Sequence, residues 1–299
     1  MSSIPGHRCP QGIDDMKNSA VLLISCPDRK GIVAGVANFL YEHNANIVHA
    51  DEHQDSERSL FFLRIEWDLA DFTLDSEQFQ LSFSQFAEKF HMQWRVAYST
   101  SVPKMAVFVS KEDHCLADLL YRYKSGELTC AIPLIISNHP HAKSLADFYQ
   151  IPFYEIPVDN DNKEHAEEQA LTLLSKYSVD VVVLARYMRI LSANFISVCA
   201  QPIINIHHSS LPAFIGKNPY HQAYERGVKI IGATSHYVTP DLDQGPIIAQ
   251  DILHVSHRDS VEDLIQKGRD IEKIVLSRAV KWHINNKILV YANKTVVFD

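Results

Sequence analysis

Three polar residues in this 299-residue sequence could do chemistry together. Asn205 and His207 lie two apart at the end of the short apolar run Ile203 to Ile206. In an extended strand, residues two apart point to the same side. An amide and an imidazole on one side can both reach a single oxygen atom. Such a pair suits stabilisation of the tetrahedral intermediate of acyl transfer. Asp243 falls between Val238 and Pro246, a stretch crowded with turn formers directly after a strand. A carboxylate in that position can orient an imidazole and favour its charged form. The same residues also read as a satisfied polar strand end and a turn aspartate, and pattern alone leaves both readings open. His207, His208, His221 and His236 are potential metal ligands, but no H-E-x-x-H spacing occurs and no cysteine is interleaved. No metal site is therefore expected. Glycine-rich phosphate cradles of the G-x-G-x-x-G and G-x-x-x-x-G-K types are absent, which disfavours nucleotide binding in those modes.

Residues like these need rigid elements to position them, and the apolar pattern supplies two kinds. Val21 to Cys26 reads as a buried strand ending at Pro27-Asp28. Ile32, Val36, Phe39 and Leu40 then follow the stripe of an amphipathic helix. Asn44 to Asn46 breaks it before a strand from Ile47 to His53. Phe61, Leu63, Ile65 and Trp67 alternate with Phe62, Arg64 and Glu66, as in a half-buried strand. Phe79, Phe83, Phe86, Ala87 and Phe90 return to helical spacing, and Trp94 to Tyr98 alternates again. The order β-α-β-β-α-β is that of ferredoxin-like domains. A polar linker with Pro103 follows at 99–104.

Beyond it, Met105 to Val109, Ala131 to Ile136, Val181 to Leu184 and Ile203 to Ile206 are continuous apolar runs. Helical stretches around Leu116 to Tyr123, Ser144 to Tyr149 and Ala166 to Tyr177 lie between them. That alternation predicts a Rossmann-like α/β domain with a mostly parallel sheet covered on both faces. One more long strand is expected from Lys229 to Val238. Ser260 and Asp263 form a capping-box pattern ahead of a long helix carrying Val261, Leu264, Ile265, Ile271, Ile274 and Val275. The expected division is a frayed N-terminus at 1–18, a small domain at 19–98 and a larger one at 105–299, with no further C-terminal domain.

Composition narrows the function classes. A net charge of −8 without a basic stretch excludes a nucleic-acid footprint. No apolar run approaches the ~20 residues that span a bilayer, and the N-terminus does not read as a signal peptide. Five scattered cysteines fit reduced thiols and a cytoplasmic setting.

Several motifs together resemble a known family. Asn205 to Gly216, Gly232 to Val238 and Asp241 to Pro246 are similar to the formyltransferases that use 10-formyltetrahydrofolate. The spacing of Asn205, His207 and Asp243 matches that family's catalytic trio. Arg186 to Ser192 resembles the segment whose backbone lines the pterin pocket. This resemblance covers 104–299. Cys26 to Val33 resembles the entry of an ACT domain, a small regulatory ligand-binding module. An ACT domain followed by a formyltransferase-like domain is the layout of the formyltetrahydrofolate deformylase family.

The resemblance implies a folate substrate, 10-formyltetrahydrofolate, and no permanently bound cofactor. It places the pterin against Met188, Arg189, Ile190 and Leu191 and against Val238, Thr239, Pro240 and Asp241. It implies small amino-acid effectors, methionine activating and glycine inhibiting, with Asp28, Arg29, Gly31 and Asn46 as candidate ligands. Asp28 to Gly31 also reads simply as a helix cap. Pairing of ACT sheets implies a homo-oligomer. Water is favoured over an amine acceptor by the loop Ser110 to Leu116. The nucleotide-using transferases carry a Gly/Ser-rich phosphate loop there. This chain has no glycine in it and adds Glu112 and Asp113. The segment Phe214 to Tyr220 also matches the deformylases. Two other readings stand beside hydrolysis: formyl transfer to an amine, and a non-catalytic amino-acid sensor.

Overall fold

The computed structural model describes residues 18–159, 161–212 and 219–299. The expected frayed N-terminus and the motif residues Phe214, Ile215, Gly216, Lys217 and Asn218 lie outside these, Asn18 excepted. The chain divides between Ser101 and Val102 into two compact units.

The first unit runs β1 (Ser19–Pro27), α1 (Ile32–Glu42), β2 (Asn46–Asp55), β3 (Leu60–Asp68), α2 (Ser76–Glu88) and β4 (Gln93–Tyr98). Its antiparallel sheet has the order β2-β3-β1-β4, as the split βαβ pattern requires. Ala20, Leu22, Ile24 and Cys26 alternate along β1 and pack with Val36 and Leu40 of α1 and Phe79 and Phe83 of α2. Aromatic contacts tighten this layer. Phe79 stacks on Phe83 at 5.3 Å between ring centroids, and Phe83 meets Trp94 edge-on at 4.8 Å. A capping box between Asp75 and Gln78 starts α2. β3 departs from the half-buried expectation, because Phe62 and Arg64 are buried along with the alternating apolar set. Phe62 lies under the His53 ring, and Arg64 pairs with Glu66 at 2.9 Å, so the second face of this central strand is also covered.

The second unit contains β5 (Lys104–Val109), α3 (His114–Lys124), β6 (Ala131–Ser137), α4 (Lys143–Phe148), β7 (Phe153–Glu155) and α5 (Lys163–Lys176). It continues with β8 (Val181–Leu184), α6 (Ala193–Val198), β9 (Ile203–His207), α7 (Pro219–Arg226), β10 (Ile230–Tyr237) and β11 (Ile247–His254). The long helix α8 (Val261–Ile284) and the hairpin β12 (Ile288–Tyr291) and β13 (Lys294–Val297) complete it. The seven-stranded sheet has the order β11-β10-β9-β8-β5-β6-β7. Ladders from β9 through β7 are parallel, while β10 runs antiparallel to both its neighbours.

The continuous apolar runs have a direct physical reading. Met105, Val107 and Val109 of β5 face a core shared with α3 and α8. Ala106 and Phe108 face a separate core built on α5 and Phe195. A strand covered on both faces has no polar side. β7, α6, α7, β11, β12 and β13 were not anticipated. Most of them are short, which leaves periodicity little room to register.

Candidate active site

After β6 and β7 extend the sheet on one side of β5, the chain crosses over and adds β8 on the other. The order reverses there, and in open α/β sheets ligands bind in the crevice beyond the strand ends at such a point. Asn205 and His207 end β9 on this side. His236 of β10 pairs directly with Asn205 across the ladder. The β10–β11 register slips between Ser235 and His236, a bulge of the kind that re-aims side chains near active sites. Asp243 follows in a tight turn with φ 55°. Gly245 then lets this loop return against β10: a Cβ there would collide with the Tyr237 carbonyl oxygen.

Asp243, His207, His236 and Asn205 form one connected group. His207 Nδ1 lies 3.2 Å from Asp243 Oδ2, and His236 Nε2 lies 3.6 Å from Asp243 Oδ1. The hydrogen bond from His207 holds the Asp243 carboxyl well below its usual range. With Nδ1–H committed to that carboxylate, Nε2 of a neutral His207 carries the lone pair. That atom is buried without a hydrogen-bond partner among the described residues. His236 Nδ1 lies 2.9 Å from the Tyr237 carbonyl oxygen, which can only accept. In the neutral ring Nε2 is then an acceptor, and Asn205 Nδ2 lies 3.2 Å from it. His236 thereby fixes which way the Asn205 amide faces and leaves its second N–H for another acceptor.

These four residues line a cavity of about 350 Å³, within the range of small-molecule sites. Met188, Arg189, Ile190 and Leu191 form one wall, and Val238, Thr239 and Pro240 another. Met188 and Ile190 are 57% and 62% exposed, an apolar rim for a flat ring. The Ser110 hydroxyl accepts from the Met188 backbone N–H at 2.9 Å and lies 2.6 Å from Asn138 Oδ1, which ties the rim to β5. Asp241 is a correction: it is exposed and not among the cavity-lining residues, and its backbone carbonyl accepts from the Thr239 hydroxyl. Its neighbour Leu242 lines the cavity instead.

A second buried group stands behind the first. Glu272 of α8 is 1% exposed. Its oxygens meet His114 Nε2 at 2.8 Å, the Tyr220 hydroxyl at 2.7 Å and Arg186 Nε at 3.4 Å. Burial pushes the Glu272 carboxyl up. The His114 hydrogen bond, the Arg186 charge and the Tyr220 hydroxyl outweigh it and hold the group below its usual range. Tyr220 reaches Glu272 because residue 268 is glycine, whose Cβ would collide with that hydroxyl. His114, Cys115 and Glu272 present donor atoms within 4.8 Å of one another. Burial holds the Cys115 thiol well above its usual range, and Arg186 already faces the carboxylate. That makes a poor donor set for a cation.

Residues 103–280 match the formyl transferase family, and residues 20–77 match the ACT domain family. A formyltetrahydrofolate deformylase of Synechocystis sp. is 54% identical over 280 residues, which is 94% of this chain and 98% of that protein. One from Bacillus subtilis is 49% identical over 300 residues, covering 100% of both chains. The chain belongs to the formyltetrahydrofolate deformylases. The crystal structure of one from Pseudomonas syringae pv. tomato superposes with a TM-score of 0.93 at 48% identity, covering 96% of each chain.

The candidate effector residues Asp28, Arg29, Gly31 and Asn46 belong to the first unit. Gly31 is the N-cap of α1 at φ 91°, with nothing within 4 Å of a Cβ built on it. Asp28 accepts from the Gln54 amide, and Arg29 donates to the Lys89 carbonyl and lies 4.3 Å over the Phe90 ring. Asn46 pairs with Asp68 at the other end of the sheet, whereas Asp28 joins Gln54 and Ser59. Within one chain, Asn46 therefore does not share a site with Asp28, Arg29 and Gly31.

Leu242, Tyr220 and Glu272 were given no role of their own by the sequence, and His236 was weighed only as a metal ligand. Glu272 had a signal: an acid on an otherwise apolar helical stripe with Leu264, Ile271, Val275 and Ala279. Among the described residues no helix is long and apolar enough to cross a membrane, and Cys26, Cys115, Cys130 and Cys199 are free and buried.

Proposed function

We propose that this chain hydrolyses 10-formyltetrahydrofolate to formate and tetrahydrofolate. One observation carries the reading. His207, its Nε2 buried and unpartnered among the described residues and its Nδ1 backed by Asp243 at 3.2 Å, lines the same cavity as Asn205. In this scheme the pterin lies against Met188 to Leu191 and the loop of Val238, Thr239, Pro240 and Leu242. The free N–H of Asn205, and the His207 imidazole once Nε2 carries a proton, hold the formyl oxygen. A water attacks the formyl carbon as proton transfer proceeds through the His207–Asp243 pair. Negative charge on the tetrahedral intermediate is stabilised by the amide and the imidazolium. The C–N bond then breaks, its electron pair leaves with nitrogen, and nitrogen takes a proton.

Water as the acceptor is supported by the loop after β5. Arg269 Nη2 donates to Glu112 at 2.7 Å, His114 is bonded to Glu272, and Asp113 begins α3. A nucleotide phosphate would meet carboxylates at that helix start instead of free N–H groups.

The finer expectations belong to the same proposal. The reaction supplies one-carbon and purine metabolism, the ACT unit senses small amino acids such as methionine and glycine, and ACT sheets pair in a cytoplasmic homo-oligomer. The test is to incubate full-length protein with 10-formyltetrahydrofolate and no acceptor, then measure formate and tetrahydrofolate. Release without an acceptor supports hydrolysis. Turnover that requires an added amine selects a transferase, and no turnover in either case selects a sensor.

A further inference from the structure

Arg186 stands just beyond β8 at φ 62°, in the left-handed region that residues other than glycine enter at a cost. Such a conformation persists only where its surroundings over-determine it. Three anchors do so here. Before Arg186, the Ala185 backbone N–H donates to the Phe108 carbonyl at 2.8 Å. After it, the Met188 N–H donates to the Ser110 hydroxyl at 2.9 Å. Between them, Arg186 Nε pairs with Glu272 Oε2 at 3.4 Å. The two side chains are 13% and 1% exposed, so little water screens this pair. Glu272 is itself fixed. His114 Nε2 and the Tyr220 hydroxyl hold its oxygens at 2.8 and 2.7 Å, and its helix neighbours Ile271, Val275 and Leu276 are packed in the core. The wall of the cavity begins where this anchor ends: Arg186, Met188, Arg189, Ile190 and Leu191 line the space that Asn205 and His207 share.

We propose that Glu272 is a positioning residue for folate binding, its ion pair with Arg186 setting the backbone of 186–191 against which the pterin packs. This rests on the folate reading of that wall and not on water being the acceptor. Glu272 is not among the residues that line the cavity, so it acts through Arg186. A glutamine at 272 keeps the shape of the side chain and an oxygen for the Tyr220 hydroxyl, but it loses the charge. Arg186 is then a buried cation without an anion, a costly state that is relieved when the side chain moves toward water. The left-handed backbone loses its inner anchor, and the wall beyond it shifts. Asn205, His207 and Asp243 keep their own contacts. The loss therefore falls on holding folate more than on turning it over.

The experiment titrates full-length protein with tetrahydrofolate by calorimetry and measures KM and kcat with 10-formyltetrahydrofolate, each variant held well below its own melting temperature. Glu272→Gln should weaken tetrahydrofolate binding and raise KM about tenfold, short of the ~10²-fold that a misplacement of about 1 Å can cost, while kcat moves much less. Glu272→Asp, which keeps the charge, should lie between it and wild type. The double variant Glu272→Gln/Arg186→Met leaves neither charge unpaired. It should regain melting temperature over Glu272→Gln but not affinity, since the anchor is still gone. Unchanged affinity and KM in folded Glu272→Gln, or a fall in maximal rate alone that follows the melting temperature, makes Glu272 structural only and overturns the proposal. Should Glu272→Gln fail to fold, wild-type affinity in the double variant overturns it equally. Absence of tetrahydrofolate binding by wild type overturns it as well. The expected order of affinities, in a protein that releases no formate from 10-formyltetrahydrofolate, leaves the positioning role standing and removes the hydrolytic reading.

Discussion

Asn205 has one amide N–H turned to His236 and one left for substrate, so its value lies in a single unpaired donor. Removing an oxyanion donor of this kind typically costs ~10²–10³ in turnover. Asn205→Ala and His207→Ala should therefore lower kcat by about that factor, and Asn205→Ala should leave the melting temperature close to wild type. Steady-state kinetics beside thermal melts check this, and near-normal turnover in either variant would remove that residue from the reaction. Asn205, His207 and Asp243 were legible because strand period and turn composition place polar atoms on predictable sides. The role of His236 was not, because only the β9–β10 ladder sets it opposite Asn205.

The helix α8 carries most of the second buried group, and one glycine decides how it is built. In an exposed helix, Gly→Ala is stabilising by about 1 kcal/mol. At position 268 the added methyl collides with the Tyr220 hydroxyl and displaces it from Glu272. Gly268→Ala should destabilise the protein by about 1–3 kcal/mol, the range for overpacking. Denaturant unfolding gives the sign, and a stabilised variant would mean that Tyr220 has room to move aside at no cost. The start of α8 was readable in advance, since Ser260 and Asp263 satisfy each other's backbone N–H. β11 was not. Its ladder with β10 is antiparallel and follows the Asp243 turn, and pairing between strands on either side of a turn is set by tertiary contact, not by local period.

Across the whole molecule, stability should depend on pH through His208. Burial first, then the charges of Arg186 and His207, pushes the folded ring from 6.5 down to about 4. Between those values the unfolded chain binds the proton and the folded chain does not. Stability is then fully present above about 6.5 and falls by up to about 3 kcal/mol as the pH drops toward 4. Asp243 adds to the loss further down, since its depressed carboxyl stabilises the fold only while ionised. Urea unfolding between neutral pH and pH 4.5 measures the slope, and His208→Asn should flatten it. An unchanged slope in that variant would place the dependence elsewhere. For the ACT unit, calorimetry of the full chain with methionine and with glycine should show saturable heat for at least one of them, and none with either counts against the effector reading.

Sequence alone determined the order of elements in the first unit, the two fold types and the positions of the trio at the strand end and turn. Each of these depends on local period or on chain neighbours a few residues apart. Tertiary structure alone decided that His236 would orient Asn205, that Leu242 and not Asp241 would line the cavity, and that Glu272 would gather His114, Tyr220 and Arg186. Those contacts join residues 31 to 158 positions apart. Only the closing of the sheet and the packing of α8 bring them within hydrogen-bond range, where the low-dielectric interior makes each pairing count.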